Sequence, residues 1–206
     1  MQSRKGFTLL EILVVVGILG ALLAVLVHGF SGAPKKAERA KCETLVKNAA
    51  DALTIAFDKN GAWPEAILKN HNSQQGLDGD VAVALAQATG KAFSVNVSGG
   101  RAVGLDRFGI VSPWATSVLK AKGNSASLST KVPTGGTIQD HRLRYAIDLD
   151  GDGVIEGASV GGESVDIRAT AAVWCCGMDG KLEAYSVGQR KDDVYSWTDG
   201  QTKNVR

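Results

Sequence analysis

The sequence predicts an α+β protein: one long N-terminal helix, transmembrane in its first part and amphipathic in its second, packed on a small antiparallel β-sheet. Three observations carry this. Residues 7–30 hold only two ionisable side chains, Glu11 and His28. Residues 35–58 repeat apolar side chains at helical spacing, with Cys42, Leu45, Ala49, Ala52 and Ala56 forming one stripe that Val46, Leu53 and Phe57 widen. Beyond residue 140, short runs rich in β-branched and aromatic residues are separated by Gly- and Asp-bearing turns.

A helix over 7–30 is long enough to cross a hydrocarbon core of about 30 Å. The leader before it carries Arg4 and Lys5, which keeps that side cytoplasmic and sends the long remainder outward in a single pass. A carboxylate is costly in such a run, and Glu11 sits one turn inside it, where a specific cation can meet it.

Residues 5–16, KGFTLLEILVVV, closely resemble the N-terminal signature of type IV pilins and type II secretion pseudopilins. The resemblance implies cleavage between Gly6 and Phe7 by a prepilin peptidase, methylation of the new terminus, and self-assembly into a filament. Glu11 would then pair with the Phe7 ammonium of a neighbouring subunit. An ordinary signal anchor or a secretory signal peptide is the alternative. The apolar run is too long for a signal-peptide core and lacks a small-x-small site near Val27. A plain anchor gives no reason for Glu11.

Composition fits an anchored extracytoplasmic domain. The 206 residues carry a formal charge of +2, and without Arg4 and Lys5 the 21 acidic residues balance the bases. No basic stripe is present, so no nucleic-acid partner is expected. Cys42, Cys175 and Cys176 allow at most one intrachain bridge. Either member of the adjacent pair could face Cys42, and an unpaired role as buried apolar filler is equally open.

The predicted organisation is a cleaved leader (1–6), a transmembrane part of the spine helix (7–30), its amphipathic part (31–58), a globular head (59–197) and a loose polar tail (198–206). Over 7–58 the spine would be roughly 78 Å long, allowing for a kink near Pro34. Asn60-Gly61 gives a left-handed stop signal. The Gly61-Ala62-Trp63-Pro64 step after it resembles one found in pseudopilins. A helix is predicted over 80–89, capped by Asp78 or Asp80 and ended by Gly90. Short strands are expected at 94–97 and near 109–111. Ser112-Pro113-Trp114-Ala115 resembles an Asp-Pro-Trp-Gly turn of the major pseudopilin, with departures at Ser112 and Ala115. Residues 120–136 read as an exposed insertion, and strands return at 143–147, 171–175 and 182–187.

Two acidic patterns point to calcium. Asp148, Asp150, Asp152, the carbonyl of Val154 and Glu156, with Gly at 153, match the first nine places of a calcium loop. Ser159 occupies the twelfth place, so a further ligand such as Glu163 or Asp166 would be needed. A tight Asp/Gly hairpin with solvated charges explains the pattern equally well. The second pattern rests on resemblance. Residues 174–181 and 192–197 look like the C-terminal end of major pseudopilins, which implies ligands at Asp179 and at Asp192 or Asp193. Arg190 and Lys191 between them are poor company for a cation.

No enzyme is predicted. Gly157-Ala158-Ser159-Val160-Gly161 fits a nucleophile-elbow pattern, but no His follows His141 and no helical stripe follows the Ser. His28, His71 and His141 are expected to be plain surface or interfacial residues. The four Trp are expected in core or sheet packing, with a sugar-binding face as the alternative.

The resemblance reaches furthest with the major pseudopilin of type II secretion. It implies an inner-membrane, single-pass subunit that polymerises on an assembly platform, driven by a cytoplasmic ATPase, to export proteins. Two other readings stand: a type IV pilus subunit or minor pilin for adhesion, motility or DNA uptake, and a membrane-anchored calcium-binding domain that never polymerises.

Overall fold

A computed structural model describes residues 9–30, 33–90, 95–97, 101–103, 107–186 and 192–205. It divides into two compact units, residues 1–38 and 39–206.

The first unit contains helix α1, Leu9–Phe30. Its side chains are described over residues 9–24, and all of these are exposed, Leu9 by 91% and Leu13 by 73%. Among the described residues, no helix is long and apolar enough to cross a membrane. The expected crossing also includes Phe7 and Thr8, which lie outside them.

Helix α2 covers Ala33–Asn60. Pro34 falls in its first turn, where a missing N–H loses no helical bond. Gly61, at φ 66°, ends it as expected, its N–H reaching the Phe57 carbonyl at 2.8 Å. The predicted stripe faces inward: Cys42, Val46, Ala49, Ala52, Leu53 and Ala56 are buried and Leu45 and Phe57 half-buried, in a core with α3 (Glu65–Asn70), α4 (Gly79–Thr89) and α5 (Pro113–Lys122). Asp78 caps α4 by accepting from the Val81 N–H, and Gly90 closes it at φ 68°. Helix α5 is unforeseen. The Ser-Pro-Trp-Ala step is its beginning, with Pro113 in the first turn and Trp114 buried.

The predicted sheet is three small antiparallel pieces. Strands β1 (Val95–Val97) and β2 (Arg101–Val103) pair with each other; β3 (Arg144–Ile147), β6 (Ala171–Cys175) and β7 (Val194–Tyr195) form a second sheet; β4 (Ile155–Val160), β5 (Glu163–Ile167) and β8 (Thr202–Val205) form a third. Only a bridge from Val111 to Arg142 occurs at the strand expected near 109–111.

Strand β6 is buried throughout because both its faces are covered. Ala171, Val173 and Cys175 face the α2 core, while Ala172 and Trp174 join Ile155, Val165, Ile167, Tyr185 and Trp197 in a second apolar cluster. All four Trp are buried, in agreement with packing roles.

Two expectations fail. The tail is not loose, since Thr202–Val205 pairs along β5. Residues 182–186 form no strand; the Glu183 N–H is taken by the Asp193 carboxylate at 3.0 Å instead of a ladder partner. The insertion at 120–136 also packs more than expected, with Ala126 and Val132 in the core.

Candidate functional site

Gly6 and Phe7, the predicted processing junction, lie outside the described residues. Glu11 stands in the first turn of α1, where a carboxylate faces the positive end of the helix dipole.

The first acidic loop joins β3 to β4. Asp148 is buried, and its two carboxylate oxygens accept from the Gly151 and Gly153 N–H groups, both at 2.8 Å. Asp152 accepts from the Val154 N–H at 2.7 Å, and Asp150 stands exposed. One oxygen from each of Asp148, Asp150 and Asp152 can lie within 4.8 Å of the others. Glu156 is outside that group, on β4. The proposed extra ligands are engaged elsewhere: Asp166 accepts from the Gly157 N–H and Glu163 from the Ser186 N–H. These carboxylates therefore organise the hairpin, as short acids do in turns.

The second site brings together Asp179, Asp192 and a residue that sequence reasoning missed, Glu183, with carboxylate oxygens again within 4.8 Å of one another. All three are half-buried. Asp179 accepts from the Lys181 N–H at 2.9 Å and Asp192 from the Met178 N–H, whereas the Glu183 Oε2 is buried without a hydrogen-bond partner. An orphaned buried carboxylate oxygen among two other carboxylates is a donor set that suits a hard cation. The intervening residues 187–191, including Arg190 and Lys191, lie outside the described residues. The alternation over 182–187 places Glu183 in a strand; its only sequence signal as a ligand is an acid four places after Asp179.

Asp193 plays a different part. It is buried, accepts from the Gly177 N–H at 2.9 Å and the Glu183 N–H at 3.0 Å, and receives the Tyr195 hydroxyl at 3.2 Å. Burial, to which the neighbouring Glu183 carboxyl adds, pushes its carboxyl up to about 7, against the pull of those two main-chain donors. It holds the turn that carries the other three acids.

The underside of this site comes from the segment read as an insertion. A side chain at Gly135, φ 142°, would collide with the Asp179 carbonyl, so only glycine lets the two backbones meet. His141, expected at the surface or an interface, is fully buried within the fold. Its Nε2 lies 2.9 Å from the Gly135 carbonyl and its Nδ1 3.0 Å from the Ser112 hydroxyl. A neutral ring satisfies both, donating from Nε2 and accepting at Nδ1. Burial lowers its pKa, outweighing the Gly135 carbonyl and the nearby charges of Asp140, Asp179 and Asp192.

The Gly-x-Ser-x-Gly segment lies on β4 and the turn into β5, so Ser159 is not on a strand-to-helix elbow.

The family model described as the prokaryotic N-terminal methylation motif matches residues 1–27. The type II secretion system core protein G of Klebsiella pneumoniae is 39% identical over 64 residues, 31% of this chain and 46% of that protein. Its counterpart from Aeromonas hydrophila is 35% identical over 80 residues, 38% of this chain and 51% of that protein. A type IV major pilin of Neisseria gonorrhoeae is 32% identical over 62 residues, 30% of this chain and 38% of that protein. The chain thus spans about half the length, or less, of the curated relatives it matches. No solved structure matches. The chain thus carries the prokaryotic N-terminal methylation motif and, over about a third of its length, is similar to type II secretion core protein G and to a type IV major pilin.

Proposed function

We propose that this chain is a structural subunit of a type II secretion pseudopilus, polymerising through its N-terminal helix to drive protein export. The observation that carries the reading is α1: an exposed apolar helix with one acid in its first turn, most of it inside the matched methylation motif. Exposed apolar surface on this scale calls for lipid or neighbouring copies to cover it.

Cleavage after Gly6 frees an ammonium at Phe7. Residues 7–30 hold the subunit in the inner membrane, with residues 39–206 outside the cytoplasm. On assembly, Glu11 meets the Phe7 ammonium of a neighbour, and low dielectric strengthens that pair. Growth on a membrane platform, driven by a cytoplasmic ATPase, pushes exported proteins outward. Asp179, Glu183 and Asp192 hold a calcium ion that neutralises their mutual repulsion and fixes the C-terminal turn.

The test is to replace Glu11 by Ala, Leu or Gln in cells carrying no other copy, then measure shear-released filament and secreted protein. Membrane levels should hold while both readouts fall sharply. Normal filaments from Glu11→Ala would overturn the reading. The pilin relative favours a second reading, a type IV pilus subunit; loss of motility or DNA uptake with secretion intact would select it.

A further inference from the structure

Three thiols in one chain leave their pairing undetermined by sequence alone. Cys42, on α2, and Cys175, on β6, are both fully buried, and their sulfurs stand 2.7 Å apart. A bridged pair stands at about 2.05 Å, and the side chains here come from two rigid elements already packed in one core. Cys176 is directed elsewhere, its thiol donating to the Asp140 carbonyl at 2.6 Å. The end of β6 marks the division: Cys175, its last residue, faces the α2 core, and Cys176 follows outside the strand.

We propose that Cys42 and Cys175 close into a disulfide that staples α2 to the head's central strand, leaving Cys176 as a permanent free thiol. The inference rests on the extracytoplasmic placement proposed above, since such bridges persist in oxidising compartments.

Closure removes two protons and two electrons. A disulfide-bearing oxidant, a protein dithiol oxidase or glutathione disulfide, accepts them. One cysteine thiolate attacks the oxidant's disulfide, releasing one thiol and leaving a mixed disulfide. The second cysteine displaces the oxidant's remaining sulfur as its second thiol. No oxidant can reach either sulfur in the folded head, so the bridge forms before α2 docks. Afterwards it is a fixed staple: in the reduced fold the hydrogen bond to Cys42, and then burial, hold the Cys175 thiol well above its usual range. Burial pushes Cys176 up to about 12, which keeps the third thiol inert.

The test uses the full chain extracted from membranes, acid-quenched, denatured and labelled with a maleimide before and after reduction. A parallel sample is denatured, reduced and refolded in a glutathione redox buffer. One thiol should label before reduction and three after it, with peptide mapping joining Cys42 to Cys175. Cys176→Ala should leave no thiol to label before reduction, and Cys42→Ala should leave two. Labelling is done on denatured protein, so a variant that folds poorly still reports. Three free thiols in both samples, or a link through Cys176, would overturn the proposal. A bridge in the refolded sample alone upholds the pairing and counts against the extracytoplasmic placement.

Discussion

The indole N–H of Trp63 donates to the main-chain carbonyl of Asp148 at 2.6 Å, tying the step after α2 to the start of the first acidic loop. The same ring packs on Phe57, with centroids 4.7 Å apart, so one side chain joins the helix end, the core and the loop. Replacing Trp63 by Phe keeps an aromatic ring and strands a buried carbonyl, at an expected cost of about 1–3 kcal/mol. Trp63→Ala should cost about 3–5 kcal/mol. Denaturant unfolding measures both, and a Trp63→Phe variant as stable as the parent would show that the hydrogen bond contributes nothing.

The buried state of His141 predicts acid sensitivity. Its pKa is lower in the fold than in the unfolded chain, so below the ordinary histidine value the unfolded state binds more protons. Stability should be full above about pH 6.5 and fall as pH drops toward the depressed folded value. Protonation would also oblige Nδ1 to donate toward Ser112, whose hydroxyl must then turn to accept. Melting curves from pH 8 to 5, in chelator, should show the decline, and ring NMR should find His141 still neutral below about pH 6.5. A His141 that titrates at or above about pH 6.5 would contradict the reading.

The sequence made some of this architecture legible and not the rest, for definable reasons. Residues 42–57 and the Asp78 to Gly90 helix were readable because periodicity and cap chemistry are local signals. Helix α5 was obscured because a Ser-Pro-Trp step serves equally as a turn or as a helix start. Residues 182–187 alternate like a strand, yet Tyr185 is buried and Glu183 is turned by Asp193, a contact from ten residues away. His141 carries no local mark of burial. Only the approach of Gly135 and Ser112 places it under the acidic site. Acids at 148, 150 and 152 matched a calcium pattern by spacing, but that spacing also satisfies a hairpin's own N–H groups.

Calcium should discriminate between the two acidic sites. An ion that binds only the folded chain raises stability by RT ln(1 + [L]/Kd), about 2.7 kcal/mol at a hundredfold excess over Kd. The rise should survive Asp148→Ala combined with Asp150→Ala and vanish in Asp179→Ala or Glu183→Gln. Melting temperature with calcium and with chelator is the readout. The opposite pattern would transfer the ion to the first loop, and no shift in any protein would leave both sites as solvated turns.

Gly177 offers a test of the second site that leaves every proposed ligand in place. A Cβ built there would fall on the Asp192 carboxylate itself, while the Gly177 N–H must still reach Asp193. Unlike Gly135, this residue does not have a left-handed backbone. The three atoms nearest that Cβ all belong to the Asp192 carboxyl group, so Gly177→Ala acts first on that side chain. It should push that carboxylate away from Asp179 and Glu183, lower stability by about 1–3 kcal/mol as overpacking does, and abolish the calcium-dependent rise in melting temperature. Gly151→Ala supplies the contrast, because nothing lies within 4 Å of a Cβ there although its φ of 81° disfavours a side chain. That variant should destabilise through backbone strain and keep the full calcium response. Paired melting curves decide the matter: a calcium response that persists in Gly177→Ala would mean that Asp192 is not a ligand.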